Sequence, residues 1–195
     1  MKQNKLVIAI TGLIGSGKSF LMQILADSGE ICIDCDAINR ELLSSSEYLN
    51  GLKALFPEAF YLGKFDKSIL KNLIFHSEEK RKLLNSYAHK KIQEELKKRI
   101  ESHVNAKRVF VEIPILNQTD SNFVEMFDKV IVVKADKELL LNRITSRDTI
   151  DNESAIRILN TQSDNYDFYV PTVVVTNNGD KNALQEQLRE ILNNG

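Results

Sequence analysis

The sequence of 195 residues contains no Trp, only two Cys and only three Pro. Two cysteines cannot supply the disulfide framework of a small secreted scaffold, and three prolines leave no proline-rich linker. No apolar run approaches the roughly 20 residues that a membrane-spanning helix requires. The first apolar run, residues 6–10, is also too short for a signal-peptide core. We therefore expect a cytoplasmic globular protein without a membrane partner.

Net charge is also nearly absent, because 26 Lys and Arg oppose 27 Asp and Glu. An evenly spread balance of this kind would argue against a polyanionic partner. The charge is uneven, however, since residues 64–108 hold 13 basic and 6 acidic side chains. This basic segment is either a solvated helical surface or a lobe that faces an anionic ligand. The sequence leaves both interpretations open.

Five short stretches rich in Val and Ile predict β-strands at residues 6–10, 30–34, 108–113, 129–133 and 172–176. Most are continuously apolar, which is typical of parallel strands covered on both faces. Helical patterns separate them, including one over residues 19–28 that Gly29 can end, and one over residues 181–193. This alternation predicts an α/β fold with a parallel sheet.

Two longer stretches between strands predict helical insertions. The first, residues 37–107, is predicted to be all helical. Its long helical pattern is an apolar stripe that repeats every four residues: Leu84, Ala88, Ile92, Leu96, Ile100 and Val104. The second insertion, residues 136–169, carries helical patterns over residues 139–147 and 154–162. The remaining core comprises residues 1–36, 108–135 and 170–195.

The segment from Gly12 to Ser19 fits the pattern G-x-x-x-x-G-K-[ST]. It follows the first predicted strand and precedes a predicted helix, as a phosphate-binding loop must. Its glycines allow backbone N–H groups to surround a phosphate, with the partial positive charge of a helix N-terminus beside them. Lys18 can reach the β- and γ-phosphates, and the Ser19 hydroxyl can bind Mg²⁺. The segment therefore predicts binding of a nucleoside triphosphate, whereas an incidental glycine turn would not explain the flanking elements.

Nucleotide binding is compatible with several kinds of protein. A switch GTPase requires a guanine-reading N-K-x-D after a late strand, and the sequence has none. Motor and transporter ATPases require a longer chain and a hydrolytic apparatus. A small-molecule kinase requires an acceptor site, a carboxylate beside the acceptor hydroxyl and a mobile basic lid. The sequence offers candidates for all three.

Asp34 and Asp36 flank the end of the second predicted strand, at the edge of the sheet where the first strand delivers the phosphate loop. Asp36 could accept the proton of an attacking hydroxyl, while Asp34 could hold Mg²⁺ or orient Asp36. The alternative for Asp36 is the N-cap of a helix that begins at Ala37. The sequence favours neither role.

Two further sets of side chains admit competing interpretations. Cys32 and Cys35 form C-x-x-C on a strand, where two small buried residues are expected rather than a redox pair or half of a metal site. Arg143 and Arg147 share a helix face, with Arg157 in the same insertion. They either clamp the phosphates of a nucleotide or lie on the surface.

Taken together, these segments resemble the dephospho-CoA kinases over nearly the whole chain. The resemblance is carried by residues 11–19, by I-D-C-D at residues 33–36 and by E-I-P-I-L at residues 112–116. It continues through R-x-x-x-R-D at residues 143–148, residues 157–162 and N-N-G at residues 177–179. The order of these segments makes the match more specific than a phosphate loop alone.

The resemblance implies a P-loop kinase-like three-layer fold with a five-stranded parallel sheet, an acceptor domain at residues 37–107 and a lid at residues 136–169. It implies transfer of the ATP γ-phosphate to the 3′-hydroxyl of dephospho-CoA with Mg²⁺, the last step of coenzyme A biosynthesis. The implied catalytic residues are Asp36, Lys18 and Arg143, and the implied metal ligands are Ser19 and Asp34. The implied substrate-binding residues are Asp36, His89, Pro114 and Leu116. The implied ATP-binding residues are Gly12, Leu13, Ile14, Gly15, Ser16, Gly17, Lys18, Ser19, Phe20, Arg143, Arg147 and Asn177.

The sequence departs from the family pattern at four places, one of which is Asn117-Gln118 instead of an aromatic-Glu pair after I-P-I-L. Leu13 replaces a usual glycine, and Phe20 stands where Thr often follows the loop serine. Lys90 replaces a proline after His89, so we expect a continuous helix there.

Two other functions stay open at this stage. One is a P-loop kinase of nucleosides, nucleotides or other small metabolites. The other is a nucleotide-dependent RNA-binding module that uses the basic segment. The aromatic residues in that segment, such as Phe65, Phe75 and Tyr87, are spread out rather than interleaved with cations, which argues against a base-stacking surface. We expect no nucleic-acid partner, and a monomer or weak oligomer.

Overall fold

The structure is a computed structural model that describes residues 5–116 and 121–193. Residues 1–4, 117–120 and 194–195, which the sequence analysis assigns to the core, lie outside the described residues. The chain divides into two compact units. The sheet unit comprises Met1–Asp34 and His103–Gly195, and the helical unit comprises Cys35–Ser102.

Strands and helices alternate along the chain, with a short 3₁₀ turn at Pro57–Ala59. In chain order the elements are β1 (Leu6–Thr11), α1 (Lys18–Asp27), β2 (Ile31–Asp34), α2 (Cys35–Leu42), α3 (Ser46–Leu55), β3 (Phe60–Tyr61), β4 (Lys64–Phe65), α4 (Lys67–Phe75), α5 (Glu78–Ser102), β5 (Arg108–Glu112), α6 (Ser121–Val124), β6 (Lys129–Lys134), α7 (Lys137–Asp148), α8 (Asn152–Asn160), β7 (Thr172–Thr176) and α9 (Lys181–Asn193).

The five predicted strands form one parallel sheet in the order β2-β5-β1-β6-β7. Side chains on both faces of the central strand β1 are buried: Ile8 and Ile10 face one side and Ala9 faces the other. Helices α1 and α9 pack on the face of Ile8 and Ile10. The prediction of an α/β fold with a five-stranded parallel sheet is confirmed. Because the strands are parallel, their carboxyl ends meet at one edge, where the phosphate loop follows β1.

Helix α1 ends where the sequence predicts, at a glycine. Gly29 has a φ of +84°, a left-handed conformation that side chains with a Cβ rarely adopt. This conformation turns the chain so that the N–H of Glu30 donates to the carbonyl of Leu25 at 3.1 Å. The turn returns the chain directly into β2.

The helical unit has its own apolar core of Tyr48, Leu52, Phe56, Ala59 and Leu70. Helix α5 contributes to it through Tyr87, whose hydroxyl donates to the carbonyl of Tyr48 at 2.9 Å. The two tyrosine rings lie 5.1 Å apart. A Cβ at Gly51 would stand 2.2 Å from the Tyr87 hydroxyl, so this approach requires glycine.

The prediction that this insertion is all helical is wrong, because β3 and β4 form an antiparallel hairpin. Leu62 and Gly63 both have positive φ, 47° and 79°, as a two-residue turn of type I′ requires. Phe60 and Phe65 face each other across the hairpin with ring centroids 5.3 Å apart. Leu-Gly lacks the Asn or Asp that usually marks such a turn, and two-residue strands are too short to show alternation.

Helix α5 runs without a break for 25 residues through Lys90, which confirms the predicted continuous helix. The apolar stripe ends before Val104, which lies past the helix and is 73% exposed. Five cations of the basic segment form ion pairs within the helical unit: Lys80, Lys82, Lys91, Lys98 and Arg99. These pairs agree with a solvated helical surface. Among the described residues, every helix is too short or too polar to cross a membrane.

Candidate active site

The phosphate loop connects β1 to α1, and its glycines lie against neighbouring backbone. Gly12 and Gly17 have positive φ, and a Cβ at Gly12 would stand 2.2 Å from the carbonyl oxygen of Val133. A Cβ at Gly17 would stand 2.0 Å from the side-chain nitrogen of Asn177. Real Cβ atoms do not approach other atoms this closely, so both positions require glycine for steric as well as conformational reasons.

Lys18 is 8% exposed, and its ammonium group lies against the loop that precedes it. Its Nζ donates to the carbonyls of Gly12 at 2.9 Å and of Leu13 at 3.2 Å. These hydrogen bonds fix the position of the Lys18 ammonium group against the loop. A cation held there can attract phosphate oxygens without being ordered first.

The second half of the loop is held by side chains from the far end of the sheet unit. Arg143 of α7 donates to the carbonyl of Gly15 at 3.1 Å and to that of Asn177 at 3.0 Å. Asn177, which follows β7 and is 4% exposed, donates its amide to the carbonyl of Ser16 at 2.8 Å. Arg143 and Asn177 thus hold loop carbonyls, which fixes the orientation of the peptide groups in this half of the loop.

The first half of the loop is held from the second insertion. Gln162, just past α8, accepts a hydrogen bond from the N–H of Ile14 through Oε1 at 2.8 Å. Leu13 and Ile14 also pack against an apolar cluster of Leu140, Ile144, Ala155 and Leu159. The sequence analysis did not select Gln162 as a site residue, although it belongs to the segment 157–162 that carries the family resemblance.

Ser19, Glu112 and Asp34 lie at the carboxyl edge of the sheet. The hydroxyl of Ser19 donates to Oε1 of Glu112 at 3.0 Å. Asp34 ends β2 directly opposite Glu112 at the end of β5. Oxygen donors of this kind suit Mg²⁺, which binds one or two protein groups and completes its shell with water and substrate phosphates. No group of three or more His, Cys, Asp and Glu suited to a metal is present within residues 5–116 and 121–193. Ser19 and the carboxylates therefore fit a cation that arrives with a nucleotide, and Glu112 is a ligand candidate that the sequence analysis missed.

Asp36 belongs to the helical unit, where it is exposed in the first turn of α2. The helix already begins at Cys35, so the alternative that Asp36 caps a helix starting at Ala37 is wrong. A carboxylate in a first turn is favoured by the helix dipole. Its place directly after β2 in the chain is compatible with the proton-accepting role.

The three arginines of the second insertion do not act alike. Arg143 lies on the loop, whereas Arg147 forms a two-bond ion pair with its neighbour Asp148 at 2.8 Å. The Arg147 side chain is 59% exposed. Arg157 bonds to Ser154 and pairs with Glu153 on its own helix. The structure therefore brings one of the three arginines to the phosphate loop.

The expectation that both cysteines lie on a strand is wrong, because Cys32 lies in β2 but Cys35 is the first residue of α2. Cys32 is also only partly buried. Cys35 is 6% exposed. Burial raises the pKa of the Cys32 thiol to about 11, with a smaller contribution from Glu30. Redox-active cysteines have lowered thiol pKa values. The Cys32 thiol is therefore protonated at neutral pH and does not suit redox chemistry.

Four other predicted site residues lie away from these hydrogen bonds. Phe20 is 42% exposed on the first turn of α1, and His89 is exposed in the middle of α5. Pro114 is half-buried just past β5, while Leu116 is 0% exposed. In this conformation Leu116 serves packing, and a substrate would reach it only after a local rearrangement.

A cavity of about 480 Å³ lies beside the phosphate loop in the sheet unit. Loop residues Leu13 and Ser16 form one wall. Leu159, Gln162 and Tyr166, from the end of α8 and the segment after it, also line the cavity. Burial raises the pKa of the Tyr166 hydroxyl to about 12. The volume lies within the range of small-molecule sites, about 300–1,000 Å³.

Comparison with known proteins identifies the family of this chain. The family model described as "CoaE: Dephospho-CoA kinase" matches residues 6–183. A Fusobacterium nucleatum protein named dephospho-CoA kinase is 30% identical over 182 residues, which cover 92% of this chain and 93% of the relative.

Solved structures give the same result. A Thermus thermophilus protein superposes with a TM-score of 0.80 at 28% identity, covering 97% of both chains. Dephospho-CoA kinase from Campylobacter jejuni superposes with a TM-score of 0.63 at 28% identity, covering 95% of both chains. The family match spans the loop, the sheet and both insertions. The chain belongs to the dephospho-CoA kinase family and is a phosphotransferase.

Proposed function

We propose that this protein transfers the γ-phosphate of ATP to the 3′-hydroxyl of dephospho-CoA, the last step of coenzyme A biosynthesis. The observation that carries the proposal is the phosphate loop with Lys18 anchored across it, in a chain that matches the family over residues 6–183. The name of the family supplies the acceptor, and the geometry of the loop supplies the phosphate chemistry.

On the ATP side, the backbone from Gly12 to Ser19 and Phe20 would bind the nucleotide, with Lys18 on the β- and γ-phosphates. Phosphoryl transfer depends mainly on positioning and on offsetting the charge that spreads over phosphate oxygens. Arg143 serves this by fixing the carbonyls of Gly15 and Ser16. Asn177, which follows β7, positions the loop in the same way by holding the carbonyl of Ser16. Arg147 would contact the phosphates if its ion pair with Asp148 opened.

Mg²⁺ bound with ATP would neutralise charge that develops on the β- and γ-phosphates. Ser19 and Glu112 are the groups of this chain that would hold it, because the Ser19 hydroxyl already lies at 3.0 Å from the Glu112 carboxylate. Asp34, opposite Glu112, would add a ligand or hold a coordinated water.

On the acceptor side, Asp36 would accept the proton of the attacking hydroxyl. Residues 37–107 would form the acceptor domain, in which His89 is a candidate contact, with Pro114 and Leu116 contributing from the sheet unit. The exposed cations of the basic segment suit the pyrophosphate of dephospho-CoA. They include Lys64, Lys67, Lys71, Arg81 and Lys90. Residues 136–169 would form the lid.

The proposal is tested by coupling ADP release to a spectroscopic signal, with purified protein, ATP and Mg²⁺. The acceptors are dephospho-CoA, adenosine, AMP and pantetheine, each supplied alone. We expect turnover with dephospho-CoA and background rates with the other three. Turnover with another acceptor and not with dephospho-CoA would overturn the proposal and favour a different small-molecule kinase.

The remaining expectations are a cytoplasmic location, a monomeric or weakly associated state and no nucleic-acid partner. The RNA-binding alternative has a clear signature, since affinity that depends on phosphate contacts falls steeply with salt. A filter-binding titration with single-stranded RNA at increasing salt separates it from a purely catalytic role. We expect no saturable binding.

A further inference from the structure

We infer that Gln162 is a positioning residue that ties the lid to the phosphate loop and sets the affinity for ATP. This inference rests on the proposed binding of ATP and is independent of the identity of the acceptor. It starts from the hydrogen bond that Gln162 Oε1 accepts from the Ile14 N–H at 2.8 Å.

The loop is held on its two halves by different parts of the sheet unit. Arg143 and Asn177 hold the carbonyls of Gly15 and Ser16. Gln162 holds the N–H of Ile14, which lies in the first half. A loop that exposes several N–H groups to a phosphate is strained unless its other polar groups are bonded. Gln162 therefore completes the bonding that fixes the loop before a nucleotide arrives.

Just past α8, few packed side chains hold the loop in place besides the hydrogen bond between Gln162 and Ile14. Leu159, one turn earlier, packs in the apolar cluster with Leu13 and Ile14. Beyond it, Gln162 and Tyr166 line the cavity of about 480 Å³ together with Leu13 and Ser16 of the loop. Because this side of Gln162 borders open space, neighbouring side chains are not packed closely enough to take over its contact with the loop. Loss of Gln162 would therefore leave the N–H of Ile14 to water and loosen the first half of the loop.

The hydrogen bond also connects the predicted lid directly to the phosphate loop. Gln162 follows α8, and α8 packs on α7, which carries Arg143. The hydrogen bonds from Gln162 and Arg143 of the predicted lid thus end on three consecutive loop residues, Ile14, Gly15 and Ser16. Movement of the lid would shift both halves of the loop together.

The test is the substitution Gln162→Met, which keeps the length of the side chain and removes the acceptor oxygen. Affinity for ATP with Mg²⁺ is measured by calorimetry without acceptor, and kinetics and thermal stability are measured on the same preparations. We expect the ATP dissociation constant to rise about 2- to 12-fold, the range for loss of one hydrogen bond between uncharged groups. The turnover number at saturating ATP should change by less than about twofold, because the lost interaction acts on binding.

Two control variants separate positioning from general destabilisation. Gln187→Met removes an amide oxygen that accepts from the backbone N–H of Thr176 at 2.9 Å, away from Gln162 in the same unit. Gln23→Met makes the same kind of change at an exposed residue of α1, whose side-chain amide donates to Asp27 at 2.7 Å. We expect both controls to bind ATP as the unmodified protein does.

Three results would overturn the inference. They are unchanged ATP affinity in Gln162→Met, whatever its melting temperature, equal losses of affinity in Gln162→Met and Gln187→Met, and equal losses of affinity in Gln162→Met and Gln23→Met. Failure of the unmodified protein to bind ATP is a separate result, which would instead contradict the proposed function.

Discussion

The sheet unit and the helical unit differ in which atoms carry their chemistry. In the sheet unit, the candidate phosphate site is built from backbone, and side chains such as Arg143 and Asn177 act by holding loop carbonyls. In the helical unit, the exposed carboxylate of Asp36 and a basic surface would offer side-chain atoms directly to the proposed acceptor. A backbone site tolerates little change at glycine, whereas a side-chain site can be altered one group at a time. The two units should therefore respond to mutation in different ways.

The largest effect is expected from Asp36→Asn in the helical unit. Loss of a general base lowers the turnover number by roughly 10²–10⁴-fold. Affinity for ATP should stay within about twofold of the unmodified protein, because a general base contributes to the transition state rather than to ground-state binding. Asp66→Asn, in the same unit, is the matched control, since its amide oxygen can still cap α4. A turnover number unchanged by Asp36→Asn would exclude the base assignment.

A comparable but smaller loss is expected from Lys18→Ala in the sheet unit. Removing one charge that stabilises a transition state costs about 10²–10³-fold in turnover. Affinity for ATP should also fall, because the ammonium is held across the loop by the carbonyls of Gly12 and Leu13. Lys181→Ala, an exposed lysine of the same unit, provides the control. Full activity in Lys18→Ala would remove the loop from the mechanism.

Two glycines with similar backbone angles sharpen the comparison between the units. Gly17 in the loop and Gly63 in the hairpin have φ of 92° and 79°. A Cβ at Gly17 would meet Asn177 at 2.0 Å, while a Cβ at Gly63 has nothing within 4 Å. Gly63→Ala should therefore lower the free energy of unfolding by only about 1–2 kcal/mol, the cost of placing alanine in a left-handed backbone conformation.

The Gly17→Ala variant should lose much more, and in binding rather than only in stability. Displacing Asn177 breaks its hydrogen bond to Ser16, so we expect ATP affinity to fall at least about tenfold, roughly 1.4 kcal/mol. Calorimetry and chemical denaturation of both variants check the pair. Similar ATP affinities in Gly17→Ala and Gly63→Ala would show that the close approach to Asn177 does not matter.

The smallest effect concerns acid stability of the helical unit. Asp66 caps α4, and the hydroxyl of Ser68, followed by the backbone N–H groups of Ile69 and Ser68, lowers the pKa of its carboxyl group. The unfolded chain then binds the proton more readily, so this stabilisation is present above the usual carboxyl pKa of about 3.9. It is lost as pH falls through the lower folded value.

Melting temperatures of the unmodified protein and of Asp66→Asn, measured from neutral to acid pH, check this contribution. The difference between the two should begin to shrink as the pH falls below about 4, where the unfolded chain takes up the proton. It should disappear once the pH lies below the lower folded pKa, because the carboxyl group is then protonated in both states. A difference in melting temperature that does not change with pH would show that the charge of Asp66 does not contribute to the stability of the cap. No comparable change in ATP affinity is expected from this variant.

The sequence predicts the sheet unit better than the helical unit, for a physical reason. Parallel strands buried on both faces leave continuous apolar runs, and β7 occurs at Thr172–Thr176, as predicted. The hairpin at Phe60–Phe65 left no such trace, because its strands have two residues each. Local sequence patterns therefore predict long buried strands well, but they do not predict the pairing of very short strands.

The candidate site shows the same limit. The motif identifies the loop from Gly12 to Ser19, but Glu112 and Gln162 reach it across 93 and 148 residues of sequence. Equal spacing on one helix also suggested equal roles for Arg143 and Arg147, which the structure separates because Asp148 pairs with Arg147. Contacts that depend on tertiary packing cannot be read from spacing alone.

The central claim is phosphoryl transfer from ATP to one hydroxyl of dephospho-CoA. It is tested most directly with ATP labelled at the γ-phosphate, followed by separation of the products and localisation of the label by phosphorus NMR. The account predicts label on the ribose 3′-hydroxyl of the acceptor, at a rate that Asp36→Asn lowers by roughly 10²–10⁴-fold. Label found only in inorganic phosphate, or at any other position of the acceptor, would contradict it.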